Sequence, residues 1–280
     1  MRKILDNLKY VLIMILVLLV TFGAGFYVAT NDVYPNEKIQ SWLYQYIRPQ
    51  SNGGFSTYYK DRTTFFSLNG TSSCPIVMLG DSITDFAEWH ELLQRQDIFN
   101  RGIAGDTAFG ILSRLDLSLK CQPKIVFLMM GVNDLKGGTP YIQLLENYKQ
   151  VIDNIVHKDV NLVVQSTLYM AFDQNKTEAT EVNRKVAQLN EAIHFYCEQR
   201  NITWVDLNKL MSVDGFLRTD LTHDGLHING KGYQIWGGIL QRILQEKLPG
   251  PASSQKGASV NLDTLQTNRG TVRDSGNVYL

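Results

Sequence analysis

From residue 75 onward the chain alternates short apolar runs with longer stretches of helical periodicity. No other feature narrows the available folds as much. The runs Pro75–Leu79, Ile98–Asn100, Lys124–Met130, Leu162–Thr167 and Ile202–Val205 are bounded by Gly, Asn, Asp or Ser, as strands buried in a parallel sheet tend to be. Between them, Glu88–Arg95, Thr107–Leu119, Pro140–His157, Glu178–Arg200 and Lys231–Glu246 repeat apolar residues at helical spacing. Parallel strands need a crossover between them, and a helix supplies one. The pattern therefore predicts a doubly wound, three-layer α/β/α sandwich. In such sheets ligands bind outside the carboxyl ends of the strands. Ser82, Gly102, Asn133 and Asp206 all come just after predicted strands.

The ends of the chain are patterned differently. Arg2, Lys3 and Lys9 precede an uncharged apolar stretch, Tyr10–Ala29, of about the length that spans a bilayer. Asp32 and Glu37 follow it. The positive-inside rule then keeps the N-terminus cytoplasmic and exports the rest. Residues 1–30 are thus expected to form one N-terminal transmembrane helix, a retained signal anchor. A cleaved signal peptide is the competing reading, although the run is long for one. Residues 31–70 read as a juxtamembrane region with a short helix at Glu37–Ile47, and residues 71–248 as the α/β domain. Residues 249–280, rich in Ser, Gly, Asn, Thr and Gln, read as a disordered polar tail. Lys+Arg and Asp+Glu are equal at 27 each, so no net field draws nucleic acid to the chain.

Of the three cysteines, Cys74 and Cys121 each sit just before a predicted strand. If those strands are neighbours, both thiols lie at one edge of the sheet and a bridge could join them. An exported domain can hold a disulfide. Cys197 lies in a helical stretch, as a small buried apolar residue does.

Two segments carry nucleophile chemistry. Gly80-Asp81-Ser82-Ile83-Thr84 puts a serine on a turn after a strand. Asp224-Gly225-Leu226-His227 puts a carboxylate three residues before an imidazole, close enough to fix its tautomer. A serine hydroxyl needs such a base, an orienter for the base, and donors for the oxyanion. Each segment has a plain alternative. Ser82 could be an ordinary helix N-cap, and Asp224–His227 a solvated turn before a helix. His223 and His227 are four apart, but Gly225 opposes a continuous helix there, so a metal pair is not favoured. Two further loops could supply donors: the glycine-rich stretch Asn100–Asp106, and Gly131-Val132-Asn133-Asp134 with its side-chain amide. Phe86, Trp89 and His90, and Tyr169, Met170, Ala171 and Phe172, could line an acyl or sugar pocket or simply pack.

Taken in order, Gly80-Asp81-Ser82, Gly102, Gly131-Val132-Asn133-Asp134 and Asp224-Gly225-Leu226-His227 resemble the four blocks of the SGNH (GDSL) hydrolase superfamily. The likeness covers residues 75–247 and is strongest to the branch of the platelet-activating-factor acetylhydrolase catalytic subunits and bacterial acylesterases. It implies a flavodoxin-like, five-stranded parallel sheet. It also implies Ser82 as nucleophile, His227 as base and Asp224 as its orienter. The backbone N–H groups of Ser82 and Gly102 and the side chain of Asn133 would form the oxyanion hole, and Asp81 would support the nucleophile loop. No cofactor or metal is implied. The expected activity is that of a membrane-anchored serine esterase, acting on a short-chain acyl ester of a lipid or carbohydrate on the exported side of a membrane. An O-acyltransferase using the same acyl-enzyme is the alternative, and a non-catalytic binding module on the same fold is the third reading.

Overall fold

The computed structural model describes residues 55–69, 73–172 and 177–248. The expected span at Tyr10–Ala29, the helix at Glu37–Ile47 and the tail at 249–280 lie outside the described residues. Among the described residues no helix is long and apolar enough to cross a membrane.

Five strands, β1 (Ile76–Gly80), β2 (Ile98–Gly102), β3 (Ile125–Met129), β4 (Asn161–Gln165) and β5 (Thr203–Val205), form one parallel sheet in the order β2-β1-β3-β4-β5. The chain starts in the interior of the sheet, steps to one edge, then crosses back. The strand order therefore reverses at β1 and β3, and a crevice opens at their carboxyl ends. Every residue of β1 and β3 is buried, which explains why they read as unbroken apolar runs.

The helices are α1 (Thr57–Asn69), α2 (Ser82–Asp85), α3 (Trp89–Leu93), α4 (Ala108–Ser113), α5 (Leu115–Ser118), α6 (Val132–Lys136), α7 (Tyr141–Val156), α8 (Thr177–Glu198), α9 (Asn208–Met211) and α10 (Gly230–Lys247). Side chains alternate across the sheet. Val77, Leu79, Val126, Leu128 and Val164 join Tyr148, Val151, Val186 and Leu189 of α7 and α8 in one core. Met78, Phe127, Met129 and Val163 join Trp89, Trp236 and Leu240 of α3 and α10 in the other. A two-stranded hairpin, β6 (Ser212–Val213) and β7 (Phe216–Leu217), turns through Asp214 and Gly215.

Three expectations are corrected or extended. The single helix expected over Thr107–Leu119 is two, because the backbone of Arg114 (φ −114°) leaves the helical region between α4 and α5. There the buried guanidinium turns inward to Asp106, Ser118 and the Gly80 carbonyl. Part of the expected juxtamembrane region is integral to the domain. Helix α1 buries Phe66 completely, bonds the Gly110 carbonyl through the Tyr59 hydroxyl at 2.9 Å and pairs Arg62 with Asp85 at 3.2 Å. Finally, Cys74 and Cys121, at the start of neighbouring strands β1 and β3, are joined in a disulfide. Cys197 is buried and free, with burial pushing its thiol up to about 12.

Candidate active site

Strand β1 ends at Gly80, where any Cβ would run into Thr84 Oγ1 and, at 2.6 Å, the Met129 carbonyl. Only glycine lets the chain turn there directly into α2. Asp81 caps that helix by accepting the Ile83 N–H at 3.0 Å. The cap is thus Asp81, and Ser82 is the first helical residue, its hydroxyl free for other work.

That hydroxyl lies 2.9 Å from His227 Nε2, and His227 Nδ1 lies 2.6 Å from Asp224 Oδ2. With the ring proton on Nδ1, Nε2 is left to accept from the serine hydroxyl. The loop that carries the pair is tied locally. Asp224 Oδ1 accepts the N–H groups of Leu226 and His227 at 2.9 and 2.8 Å. Thr222 donates its hydroxyl to the His227 carbonyl at 2.6 Å and accepts the Gly225 N–H. Gly225 sits at φ +82°, where glycine is at ease. Its carbonyl accepts the Ala171 N–H at 2.8 Å, fastening the loop to the segment after β4. Burial opposes ionisation of Asp224, but the His227 ring and the two backbone donors outweigh it and hold the carboxyl well below its usual range. It is therefore a fixed anion that can orient and stabilise an imidazolium.

Asn133, near the start of α6, donates one amide N–H to the Asp106 carbonyl at 2.9 Å. An amide NH₂ has a second donor, which this bond leaves free. Gly102 does not fit the role the resemblance gave it. Its N–H already donates to Asn100 Oδ1 at 2.8 Å, and a Cβ there would collide with the Asp85 backbone. It is a packing glycine. Three residues on, Gly105 (φ +77°) has open space around its Cα, and its N–H meets no acceptor among the described residues. It adjoins the peptide that Asn133 holds. Gly105 thus replaces Gly102 as the candidate backbone donor of this loop. Sequence reasoning missed it because both glycines lie in one glycine-rich loop, and only the bond to Asn100 tells them apart.

Behind the nucleophile lie three buried acids. Burial, then nearby Asp106 and Asp134, push the Asp81 carboxyl up to about 7 against the Ile83 hydrogen bond. Burial raises Asp134 to about 6 and raises Asp106 despite its 2.8 Å pair with Arg114. Asp134 Oδ2 accepts the Ala108 N–H at 2.9 Å. Asp81 and Asp134 therefore brace the loops that hold Ser82 and Asn133.

Of the aromatic candidates, Phe86 lies with its ring centroid 5.1 Å from that of His227 and stays half exposed, so it walls the site. Trp89 packs instead, bonding the Thr84 carbonyl and abutting Trp236, while the exposed His90 bonds the Ile98 carbonyl. Phe172 lies edge-on to Phe216, and Tyr169 faces a separate cavity.

The profile of the GDSL-like lipase/acylhydrolase family matches residues 78–235, which spans every element of this site. The chain belongs to that family. It is 26% identical over 170 residues to an N-acylneuraminate cytidylyltransferase of Streptococcus agalactiae, covering 61% of this chain and 38% of that protein. The chain thus spans well under half the length of that relative. It is 23% identical to the isoamyl acetate-hydrolyzing esterase of Saccharomyces cerevisiae, covering 62% of this chain and 87% of that one. Among solved structures, a GDSL-like lipase from Bacteroides thetaiotaomicron superposes with a TM-score of 0.60 at 21% identity, covering 68% of this chain and 98% of that one. A Streptococcus pneumoniae protein named for platelet activating factor gives 0.59 at 22% identity, covering 75% and 100%. At these identities the structures speak for the fold.

Proposed function

We propose that this GDSL-family protein is a membrane-anchored serine esterase that removes a short acyl group from a lipid or carbohydrate ester. The carrying observation is the continuous line from Ser82 Oγ through His227 to Asp224, with contacts of 2.9 and 2.6 Å. Ser82 Oγ attacks the ester carbonyl while its proton passes to His227 Nε2. Asp224 holds the resulting imidazolium. The N–H groups of Ser82 and Gly105 and the free amide N–H of Asn133 receive the oxyanion. The tetrahedral intermediate collapses, the alcohol leaves with the proton from His227, and the acyl group stays on Ser82. Water then gives a proton to His227 and attacks the acyl-enzyme, and as the second tetrahedral intermediate collapses the acid leaves and His227 returns the proton to Ser82 Oγ. The His227 side chain is 29% exposed and that of Asp224 55%. Such access admits water as the second nucleophile.

The apolar stretch Tyr10–Ala29 supports anchoring, and the disulfide supports a domain on the exported, oxidising side. Cytidylyl transfer stays with the relative that bears that name. Replacing Ser82 by Ala should leave folding intact and cut p-nitrophenyl acetate hydrolysis by at least ~10³-fold. Undiminished turnover in that variant would sink the assignment.

A further inference from the structure

A cavity of about 480 Å³ opens beside edge strand β5, between α8 and the β6–β7 hairpin, and no triad residue lines it. Its volume lies within the range of small-molecule sites. Trp204 of β5 forms one wall, with the His194 ring stacked on it at 5.3 Å and 20°. The floor is already satisfied. Asn190 brackets Thr167 through its N–H and carbonyl, and Asn208 bonds Ser166, Thr167, Tyr169 and Ser212. Those amides fix the shape of the cavity and have little left to give a ligand.

The groups with capacity to spare stand around the rim. The hydroxyl of Tyr169 and the charged ends of Glu191, Lys209 and Asp214 make no hydrogen bond or ion pair to the described residues, and Asp206 uses only Oδ1, towards the Asn208 N–H. Three carboxylates face one lysine, so the rim repels anions. A wall of the stacked Trp204 and His194 rings, rimmed by unspent carboxylates and the Tyr169 hydroxyl, suits a ligand with an apolar face and many hydroxyl donors. Tyr169 begins the segment whose Ala171 N–H holds the Gly225 carbonyl of the His227 loop. The cavity and the triad loop thus share one strap of backbone.

We propose that this cavity is a saccharide subsite, taking a neutral or amino sugar of a glycan whose ester is presented to Ser82. Its role in turnover rests on the esterase reading, but its binding does not. The test uses the full-length Ser82→Ala protein, which separates binding from hydrolysis, and follows titration with cellobiose, glucosamine disaccharide, cellobiouronic acid and choline by ligand-observed NMR. Cellobiose and the glucosamine disaccharide should bind saturably, with the acidic disaccharide weaker. Asp206→Asn, which keeps the Oδ1 acceptor, and Trp204→Leu should each weaken binding about tenfold or more. In the Ser82 background both should leave p-nitrophenyl acetate turnover unchanged and raise KM for an acetylated oligosaccharide. Absence of saturable sugar binding, choline binding with the sugars silent, or binding undiminished in Asp206→Asn would overturn the subsite. Loss of turnover in Ser82→Ala speaks only to the esterase reading. Should Trp204→Leu not fold, Asp206→Asn alone decides.

Discussion

Asn133 divides one side-chain amide between structure and chemistry. One N–H holds the Asp106 carbonyl, and the other is left for an oxyanion. Asn133→Ala should lower kcat for p-nitrophenyl acetate by ~10²–10³-fold with little change in KM, as loss of a transition-state donor does. A rise in KM alone would contradict that role. At this scale the sequence was legible wherever chemistry demands a particular side chain. Ser82, Asp224 and His227 could be picked out because few residue types serve as nucleophile, orienter and base. Gly102 was misassigned because a backbone N–H has no letter of its own. Whether it is free depends on its neighbours, here Asn100 Oδ1.

Helix α1 shows what an element can contribute from outside the α/β alternation. Its Phe66 ring is fully buried beneath the guanidinium groups of Arg101 at 4.5 Å and Arg62 at 4.9 Å. Arg62 and Tyr58 of the same helix also reach Asp85, which ends the nucleophile helix α2. Phe66→Ala should destabilise the domain by ~3–5 kcal/mol, read as a lower urea midpoint. A midpoint within error of wild type would mean that α1 is an ornament on the domain. The sequence hid this helix because its two buried residues, Tyr59 and Phe66, are seven apart and separated mainly by polar positions. The strands were legible to within a residue or two, most sharply β1 and β3, where burial on both faces leaves an unbroken apolar run. The β6–β7 hairpin was overlooked, although Asp214-Gly215 at φ +50° and +77° is the expected tight-turn pair.

At the scale of the whole molecule, two terms tie stability to conditions. The Cys74–Cys121 bridge closes a loop with a sequence separation of 47. By chain entropy its removal in a Cys74→Ala/Cys121→Ala variant should cost ~4 kcal/mol, checked by urea unfolding with and without reductant. Reductant should shift wild type and leave the variant unmoved. The second term is protonation. Asp81 and Asp134, raised to about 7 and about 6, keep protons in the folded state that the unfolded chain loses near pH ~4. Their contribution is full below that pH and is lost as pH rises through about 6 and 7. Asp224, held low, works in the opposite sense: its contribution is present above pH ~4 and is lost as pH falls through its depressed value. Between pH 5 and 7 the raised buried acids, Asp106 among them, govern, so the urea midpoint should fall with rising pH, and Asp81→Asn should flatten that slope. A slope unaltered by the substitution would remove Asp81 as its source.

Ser82 and His227 stand 145 positions apart. One follows the first strand of the sheet, and the other lies in the loop just before the last helix. Their contact is among the longest loop closures of the described residues, and closing so long a loop costs chain entropy that the packing around it must offset. Loosening at either end would part the pair and silence turnover while the five strands stay paired. Heat-inactivation curves for this enzyme would then record the parting of two distant chain segments, at a lower temperature than the melting of the sheet.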